Sequence, residues 1–217
     1  MKRIPLDKLF PYTIEEDIAN SISHGIGALI IMVGNVYLIY QASLTLNIVN
    51  VICFAVYGYI LVGMLLASCL YHGIRHIGTR DIFKRLDHSF IFLLITGTYC
   101  PIVFVGLKTT QSYIVFSILC LITICGIIFK VFFSDRFKIL STVIFILMGW
   151  LAVFLIPQII STLSSSFLLW IIIGGLSYTL GALLYAFGKF KYHHFIWHLF
   201  VLGGAFAHYI AILFYLI

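Results

Sequence analysis

The chain has 217 residues, of which 63% are hydrophobic and 9% are charged. Its mean hydropathy of +1.15 lies far above the range of soluble domains, which excludes a soluble enzyme or binding module. The net charge of +6 comes without a clustered basic stripe, so no nucleic-acid partner is expected.

A helix needs about 20 mainly apolar residues to cross the hydrocarbon core of a bilayer. Seven runs of the sequence meet this requirement, and the connections between them are too short to hold a soluble domain. We therefore predict an all-α integral membrane protein, a seven-transmembrane-helix bundle at 20–217 that follows a segment at 1–19. The predicted spans are 20–42, 48–71, 86–107, 112–133, 137–156, 166–187 and 194–217.

The segment at 1–19 is acidic, contains proline and has no small-residue cleavage site, so we expect it to stay on the chain. Thr13 and Glu16 have the spacing of a capping box, which predicts a short interfacial helix that begins at about Ile14 and leads into the first span. In this interpretation Glu15 and Glu16 supply capping and helix-dipole charge.

The positive residues predict the orientation, because loops on the cytoplasmic side retain Lys and Arg. Twelve basic residues fall on the N-terminal side of a seven-span arrangement and only Lys108 falls opposite, which places the N-terminus in the cytoplasm and the C-terminus outside. Most histidines and all acidic residues fall on the same inner side, so a site is expected there. The twelve are Lys2, Arg3, Lys8, Arg75, Arg80, Lys84, Arg85, Lys130, Arg136, Lys138, Lys189 and Lys191.

Histidines near the inner ends of three spans have the pattern of a metal site. His194 and His198 are four residues apart, so on a helix both imidazoles can reach one ion. A third ligand is expected from His72 in "SCLYH", with Ser68 one turn deeper, and Asp87 in "KRLDHSF" opens the next span at similar depth. Three imidazoles and one open position are typical of catalytic zinc, and Asp87 can hold the bound water or donate its carboxylate directly.

The alternative is that the histidine pair is interfacial or makes hydrogen bonds between helices. His193 and His88 point to other faces and are not expected to be ligands, and His208, near mid-membrane, is expected to hydrogen-bond a neighbouring helix. Asn20 and His24 are expected to bond a neighbouring helix near the metal, where they can support the ligands.

Several motifs together resemble the hemolysin III family of the progestin and adipoQ receptor superfamily, and the likeness covers nearly the whole chain. "EEDIANSISHGIGA" at 15–28 is similar to the family's first motif, "SCLYH" at 68–72 with "LDHS" at 86–89 to its second, and "HFIWH" at 194–198 to its third. "GGAFAHY" at 203–209 resembles the tail that follows, and no position of these motifs departs from the pattern.

The resemblance implies a seven-helix fold with its N-terminus inside, and zinc on His72, His194 and His198. Asp87 would then lie at or near the metal-bound water, beside Ser68. Glu16, Asn20 and His24 fall on the marked positions of the first motif and would surround the ligands. These implications agree with the orientation that the charges predict independently.

Two classes of function remain open from the sequence. In the first, a zinc-dependent hydrolase resembling ceramidases cleaves a lipid amide near the inner face of the cell membrane of a bacterium. In the second, the zinc is structural and the protein is a cytolysin or a sensor of membrane state. Membrane lipids are the expected partners in both, and a lipid-sized cavity that reaches the metal would favour the enzyme.

Overall fold

The structure is a computed structural model that describes residues 4–133 and 137–217, and within these ranges it contains helices and no strand. Among these residues, seven helical spans are long and apolar enough to cross a membrane, which confirms the predicted all-α bundle of seven transmembrane helices. The helices are α1 (Leu6–Leu9), α2 (Ile14–Leu44), α3 (Ile48–Gly73), α4 (Ile77–Pro101), α5 (Thr110–Phe133), α6 (Lys138–Trp150), α7 (Ile156–Thr162), α8 (Ser165–Phe187) and α9 (His193–Tyr215).

The first span starts at a capping box, as its sequence predicts. Thr13 Oγ1 accepts a hydrogen bond from the Glu16 backbone N–H at 3.3 Å, and the Glu16 carboxylate accepts one from the Thr13 N–H at 3.0 Å. The 31 residues of α2 then run without interruption to Leu44, so the cap opens the span itself and not a separate short helix. At about 1.5 Å per residue α2 is ~46 Å long and extends beyond a ~30 Å hydrocarbon core.

The third span also begins before its apolar run. His76 caps α4 by accepting a hydrogen bond from the Thr79 backbone N–H at 3.3 Å, although hydropathy alone starts this span at residue 86. The extra turns carry Arg80, Lys84 and Arg85, whose side chains are buried against neighbouring segments. Burial in protein explains how charged turns can prolong a membrane helix.

Two prolines, Pro101 and Pro157, lie at irregular points of their spans. Pro101 ends α4, and a single π-helical stretch, Ile102–Leu107, completes the span before Lys108 adopts a left-handed conformation. A 3-10 stretch, Leu151–Leu155, joins α6 to α7, and proline stands in the first turn of α7. Proline lacks the N–H that a continuous α-helix would use, so the backbone changes its hydrogen-bond pattern there.

The helices pack in a closed arrangement in which α2 lies against α3, α3 against α4, α4 against α5, α8 against α9, and α9 returns to α2. α6 rests mainly on α8 and α4, and it makes little contact with α5 over their described residues. Large apolar side chains such as Val33 and Leu29 of α2 point outward, as a lipid-facing surface requires. The first turns of α2, the last turn of α3 and the first turns of α9 meet at one end of the bundle, and a group of buried polar residues lies there.

The orientation stays a prediction, because it rests on the distribution of charge. Three of the basic residues that support it, Lys2, Arg3 and Arg136, lie outside the described residues.

Candidate metal centre

Three buried histidines meet where the last turn of α3 lies beside the first turns of α9. His72 comes from α3, and His194 and His198 come from α9, with at most 5% of any of the three exposed. One nitrogen of each ring lies within 4.8 Å of the others, so the three can hold a metal ion. The Nε2 atoms of His72 and His194 are 3.3 Å apart.

Hydrogen bonds from α2 fix which ring nitrogen faces the centre of this group. His72 Nδ1 lies 2.9 Å from Asp17 Oδ1, and His198 Nδ1 lies 3.2 Å from the Asn20 carbonyl oxygen. Both oxygens accept, so each Nδ1 carries the proton and each Nε2 keeps its lone pair. The Asn20 side-chain nitrogen and the Ser23 hydroxyl lie close behind the same two Nδ1 atoms, at 3.5 and 3.2 Å.

The donor set fits a transition metal that accepts imidazole nitrogen. His198 Nε2 is fully buried and has no hydrogen-bond partner among the described residues. A buried acceptor without a partner is costly unless an ion occupies the space that it faces. Three neutral imidazoles supply three ligands, which leaves a fourth position of a tetrahedral ion for water or substrate.

Asp87 and Ser68 lie together beside this group without joining it. Asp87 of α4 is 3% exposed and Ser68 of α3 is fully buried. The two side chains are neighbours, but the three-histidine group contains no carboxylate. Asp87 instead lines a long apolar cavity, together with His24. Its place beside the metal-bound water and its role both stay predictions.

The three residues expected around the ligands occupy different places. Asn20 touches both His72 and His198 as described above, and the His24 ring stacks on the His198 ring with centroids 3.7 Å apart and planes 7° apart. Glu16 makes no hydrogen bond to any of the three histidines. Its Oε1 accepts a hydrogen bond of 2.8 Å from the Tyr192 backbone N–H, so it links the start of α2 to the turn that precedes α9.

The histidines expected to lie outside the group do so. His193 bonds the carbonyl oxygen of Phe190 at 2.8 Å, on the surface. His208 Nε2 lies 3.1 Å from the carbonyl oxygen of Ile171, which is the interhelical hydrogen bond that its position predicts.

Asp17 is the polar residue of the centre that the sequence analysis missed. Its carboxylate bonds His72 and also accepts two hydrogen bonds from Arg80, at 2.9 and 2.8 Å, and one from Arg75 at 3.0 Å. Helical spacing offered a signal, because residues 17, 20 and 24 recur at the three- and four-residue intervals of one helix face.

Tyr12, which precedes α2, was also missed, and no pattern in the sequence marks it. Its ring stacks on His194 with centroids 4.5 Å apart and planes 22° apart. Removal from water raises the pKa of the Tyr12 phenol well above its usual value, so the ring packs there in its neutral form.

The apolar cavity runs from this end into the middle of the bundle. Its volume is about 180 Å³, and side chains of α4, α6, α8 and α9 supply most of its walls. Asp87, His24 and Trp197 border it near the histidines, and His208 borders it deeper in the bundle. The cavity therefore connects the neighbourhood of the three-histidine group with an apolar interior.

Seven membrane-spanning helices with a buried three-histidine centre at one end define a class of multi-pass membrane proteins. The chain matches the family described as "Haemolysin-III related" over residues 12–209, and it belongs to that family. It is 38% identical to the "Hemolysin-3 homolog" of Bacillus subtilis (strain 168) over 204 residues. This aligned stretch covers 94% of this chain and 96% of that protein.

Two further relatives place the chain more broadly. "Hemolysin-3" of Bacillus cereus is 38% identical over 204 residues, or 94% of this chain and 93% of that protein. The "Adiponectin receptor protein" of Drosophila melanogaster is 33% identical over 152 residues, which are 59% of this chain and 34% of the receptor. The resemblance inferred from the motifs is thereby confirmed at the level of the family and extends to an animal receptor.

Proposed function

We propose that this protein is a zinc-dependent hydrolase of lipid amides in the cell membrane of a bacterium. The observation that carries the proposal is that three buried imidazoles converge beside an apolar cavity, which is lined by a carboxylate, Asp87, and by His24, whose ring stacks on that of His198. A metal centre, a candidate base and a space for an acyl chain are the parts that hydrolysis of a membrane lipid requires.

Zinc suits the donor set better than the common hard cations. Imidazole nitrogen is a favourable ligand for zinc, whereas magnesium and calcium prefer oxygen ligands. Asp17 and the Asn20 carbonyl keep the Nε2 lone pairs of His72 and His198 directed inward. When bound, zinc would lower the pKa of its water and polarise a carbonyl oxygen.

The residues around the centre have separate tasks in this proposal. Asp87 orients the attacking water, accepts its proton as the C–O bond forms, and returns that proton to the amine nitrogen as the C–N bond breaks. Ser68 stands beside Asp87, and its buried hydroxyl, which has no hydrogen-bond partner among the described residues, is available to donate to that carboxylate. His24 packs flat on His198 and limits the rotation of that ring.

The substrate would come from the surrounding lipid. The cavity walls are mostly apolar, so they suit an acyl chain better than a polar metabolite. α5 and α6 pack loosely against each other over their described residues, and both contribute cavity residues, Lys130 and Lys138. A lipid can therefore approach sideways between these helices.

A second function has its own support. The three histidines join α3 to α9, which is the arrangement expected of a structural cross-link, and two relatives carry the name hemolysin-3. In this alternative the metal stabilises a cytolysin or a sensor of membrane state, and no lipid is hydrolysed.

One experiment separates the two functions. Protein purified without added metal is analysed for zinc and assayed against a panel of ceramide-like and other lipid amides in detergent and in vesicles. The matched control is the double variant His194→Ala, His198→Ala, which should lose both zinc and turnover. Zinc kept at full occupancy by the double variant would rule out the metal centre, and zinc-replete wild type without turnover on any lipid would support the structural alternative.

A further inference from the structure

We propose that Arg80 is a positioning residue that couples the orientation of His72 to the docking of residues 4–12 over the metal centre. The inference rests on the proposed metal site but does not depend on hydrolysis. It concerns a side chain that is fully buried although it lies in the polar first turns of α4, ahead of the apolar run from which the sequence predicts this span.

Every N–H group of the Arg80 guanidinium has an acceptor. Nε donates to the Leu9 carbonyl oxygen at 2.9 Å, Nη1 donates to the carbonyl oxygens of His72 and Ile74 at 3.2 Å each, and Nη2 donates to both oxygens of Asp17. These five contacts use all five N–H donors of the guanidinium. No other side chain presents five donors in one plane, so no other side chain could make the same set of contacts.

Through Asp17, Arg80 is linked to His72, one of the three proposed ligands. Asp17 Oδ1 receives both an Arg80 N–H and His72 Nδ1–H, so the guanidinium holds the carboxylate at the position where it meets the imidazole. The Nη1 contacts fasten the backbone at the end of α3, next to the same histidine. Arg80 therefore holds the His72 backbone directly and the His72 side chain through Asp17.

The Nε side of Arg80 leads to the N-terminal segment. Leu9, whose carbonyl oxygen accepts from Nε, is fully buried, and the guanidinium lies 4.5 Å from the centroid of the Phe10 ring. The Lys84 ammonium donates to the carbonyl oxygen of Lys8 in the same segment. Three residues after Leu9, Tyr12 stacks on His194, so docking of the segment closes this side of the metal centre.

Loss of the guanidinium should therefore free the His72 side chain and undock the segment at residues 4–12 at the same time. Arg80→Gln would leave the Leu9, His72 and Ile74 carbonyl oxygens to share at most the two N–H groups of one amide, and it would remove the main partner of Asp17. Arg80→Lys keeps the charge but not the planar fork, so it should restore the Asp17 contact without the full set of backbone contacts. The two variants separate charge from geometry.

The first measurement is metal affinity. Purified apo-protein in detergent is titrated with Zn²⁺ against a competing chelator, and with Co²⁺ while its visible spectrum is recorded. Affinity should fall about 10–100-fold in Arg80→Gln, with a changed Co²⁺ spectrum, and by less in Arg80→Lys. The control is Arg75→Gln, which removes a half-exposed contact to Asp17 and should change affinity by less than about threefold.

The second measurement is docking of the N-terminal segment. A Leu9→Cys reporter in a cysteine-free background is treated with a membrane-impermeant maleimide in vesicles that expose the N-terminal side. Labelling should be slow with Arg80 present, because the position is buried, and about tenfold faster with Arg80→Gln. Arg75 lies 5.3 Å from the Phe10 ring but bonds none of the segment's backbone carbonyls, so Arg75→Gln should label nearly as slowly as the parent.

Both changes must occur together for the proposal to hold. Faster labelling with unchanged metal affinity, or weaker metal binding with unchanged labelling, would overturn the coupling. Unchanged behaviour of both would also overturn it, and where Arg80→Gln does not insert, the same criteria apply to Arg80→Lys. A wild type that binds no metal would instead refute the metal site itself.

Discussion

The substitution Asp17→Asn tests how the ligand histidines are held. Asparagine nearly matches aspartate in size, and its oxygen can still accept the His72 Nδ1–H. The substitution removes the negative charge that faces Arg80 and Arg75. Arg75 is half-exposed and can turn to water, but Arg80 is fully buried and cannot. The cost should therefore come mainly from the unpaired Arg80 charge.

The magnitude follows from this difference between the two arginines. Removal of one partner of a buried ion pair costs about 3–5 kcal/mol, and the acceptor that asparagine retains places this case near ~3 kcal/mol. Metal affinity should fall about 10–100-fold, because the charge-assisted bond behind His72 becomes a neutral one. That loss corresponds to ~1.4–2.7 kcal/mol of binding free energy.

The assay compares Asp17→Asn with Glu16→Gln, which neutralises the adjacent carboxylate in the same isosteric way. Glu16 bonds the Tyr192 backbone and no ligand histidine, so its variant should keep metal affinity within about threefold of wild type. Affinity is measured by chelator competition, and stability by unfolding of the apo-protein in detergent. Equal losses in the two variants, or an unchanged affinity in Asp17→Asn, would refute the role assigned to Asp17.

Three further predictions address orientation, chemistry and packing. A cysteine at Ile217 in a cysteine-free variant should be labelled only from outside intact cells, and labelling only from inside would reverse the predicted topology. Asp87→Asn should keep most of its zinc and lose about 10²–10⁴-fold in lipid amide turnover, whereas full turnover would remove Asp87 from the mechanism. Gly174→Ala should lower stability in detergent by about 1–3 kcal/mol, because a Cβ there would lie 2.2 Å from the His208 ring, and an unchanged unfolding midpoint would contradict this.

Hydropathy predicted the number of spans but not where two of them begin. α2 starts at Ile14 and α4 at Ile77, in both cases within polar turns that a hydrophobic window leaves out. The capping box at Thr13 did mark the first of these starts, since capping depends on residues three apart. The α4 start has no such signal, because its charged turns are tolerated through tertiary contacts with the N-terminal segment, α2 and α5.

The three histidines could be recognised from the sequence because their positions, like the capping box, follow from helical spacing and span length. His194 and His198 share a helix face because of their spacing, and His72 falls at the matching end of another span because each span has a similar length. Glu16 was grouped with the site by a motif, yet the structure turns it toward Tyr192 and turns Asp17 toward His72. Glu16 and Asp17 are adjacent on α2 and therefore point about 100° apart around the helix axis, so only one of them can face His72.

The sequence by itself determined the seven-helix architecture and the three candidate ligands, because bilayer thickness and helical periodicity act over short stretches of chain. Only the tertiary structure decided what stands behind and over those ligands. Asp17 meets His72 across 55 residues and Arg80 across 63, and Tyr12 meets His194 from a segment that lies outside every span. Such contacts depend on how helices rotate and pack against one another, and no local pattern of residues specifies that.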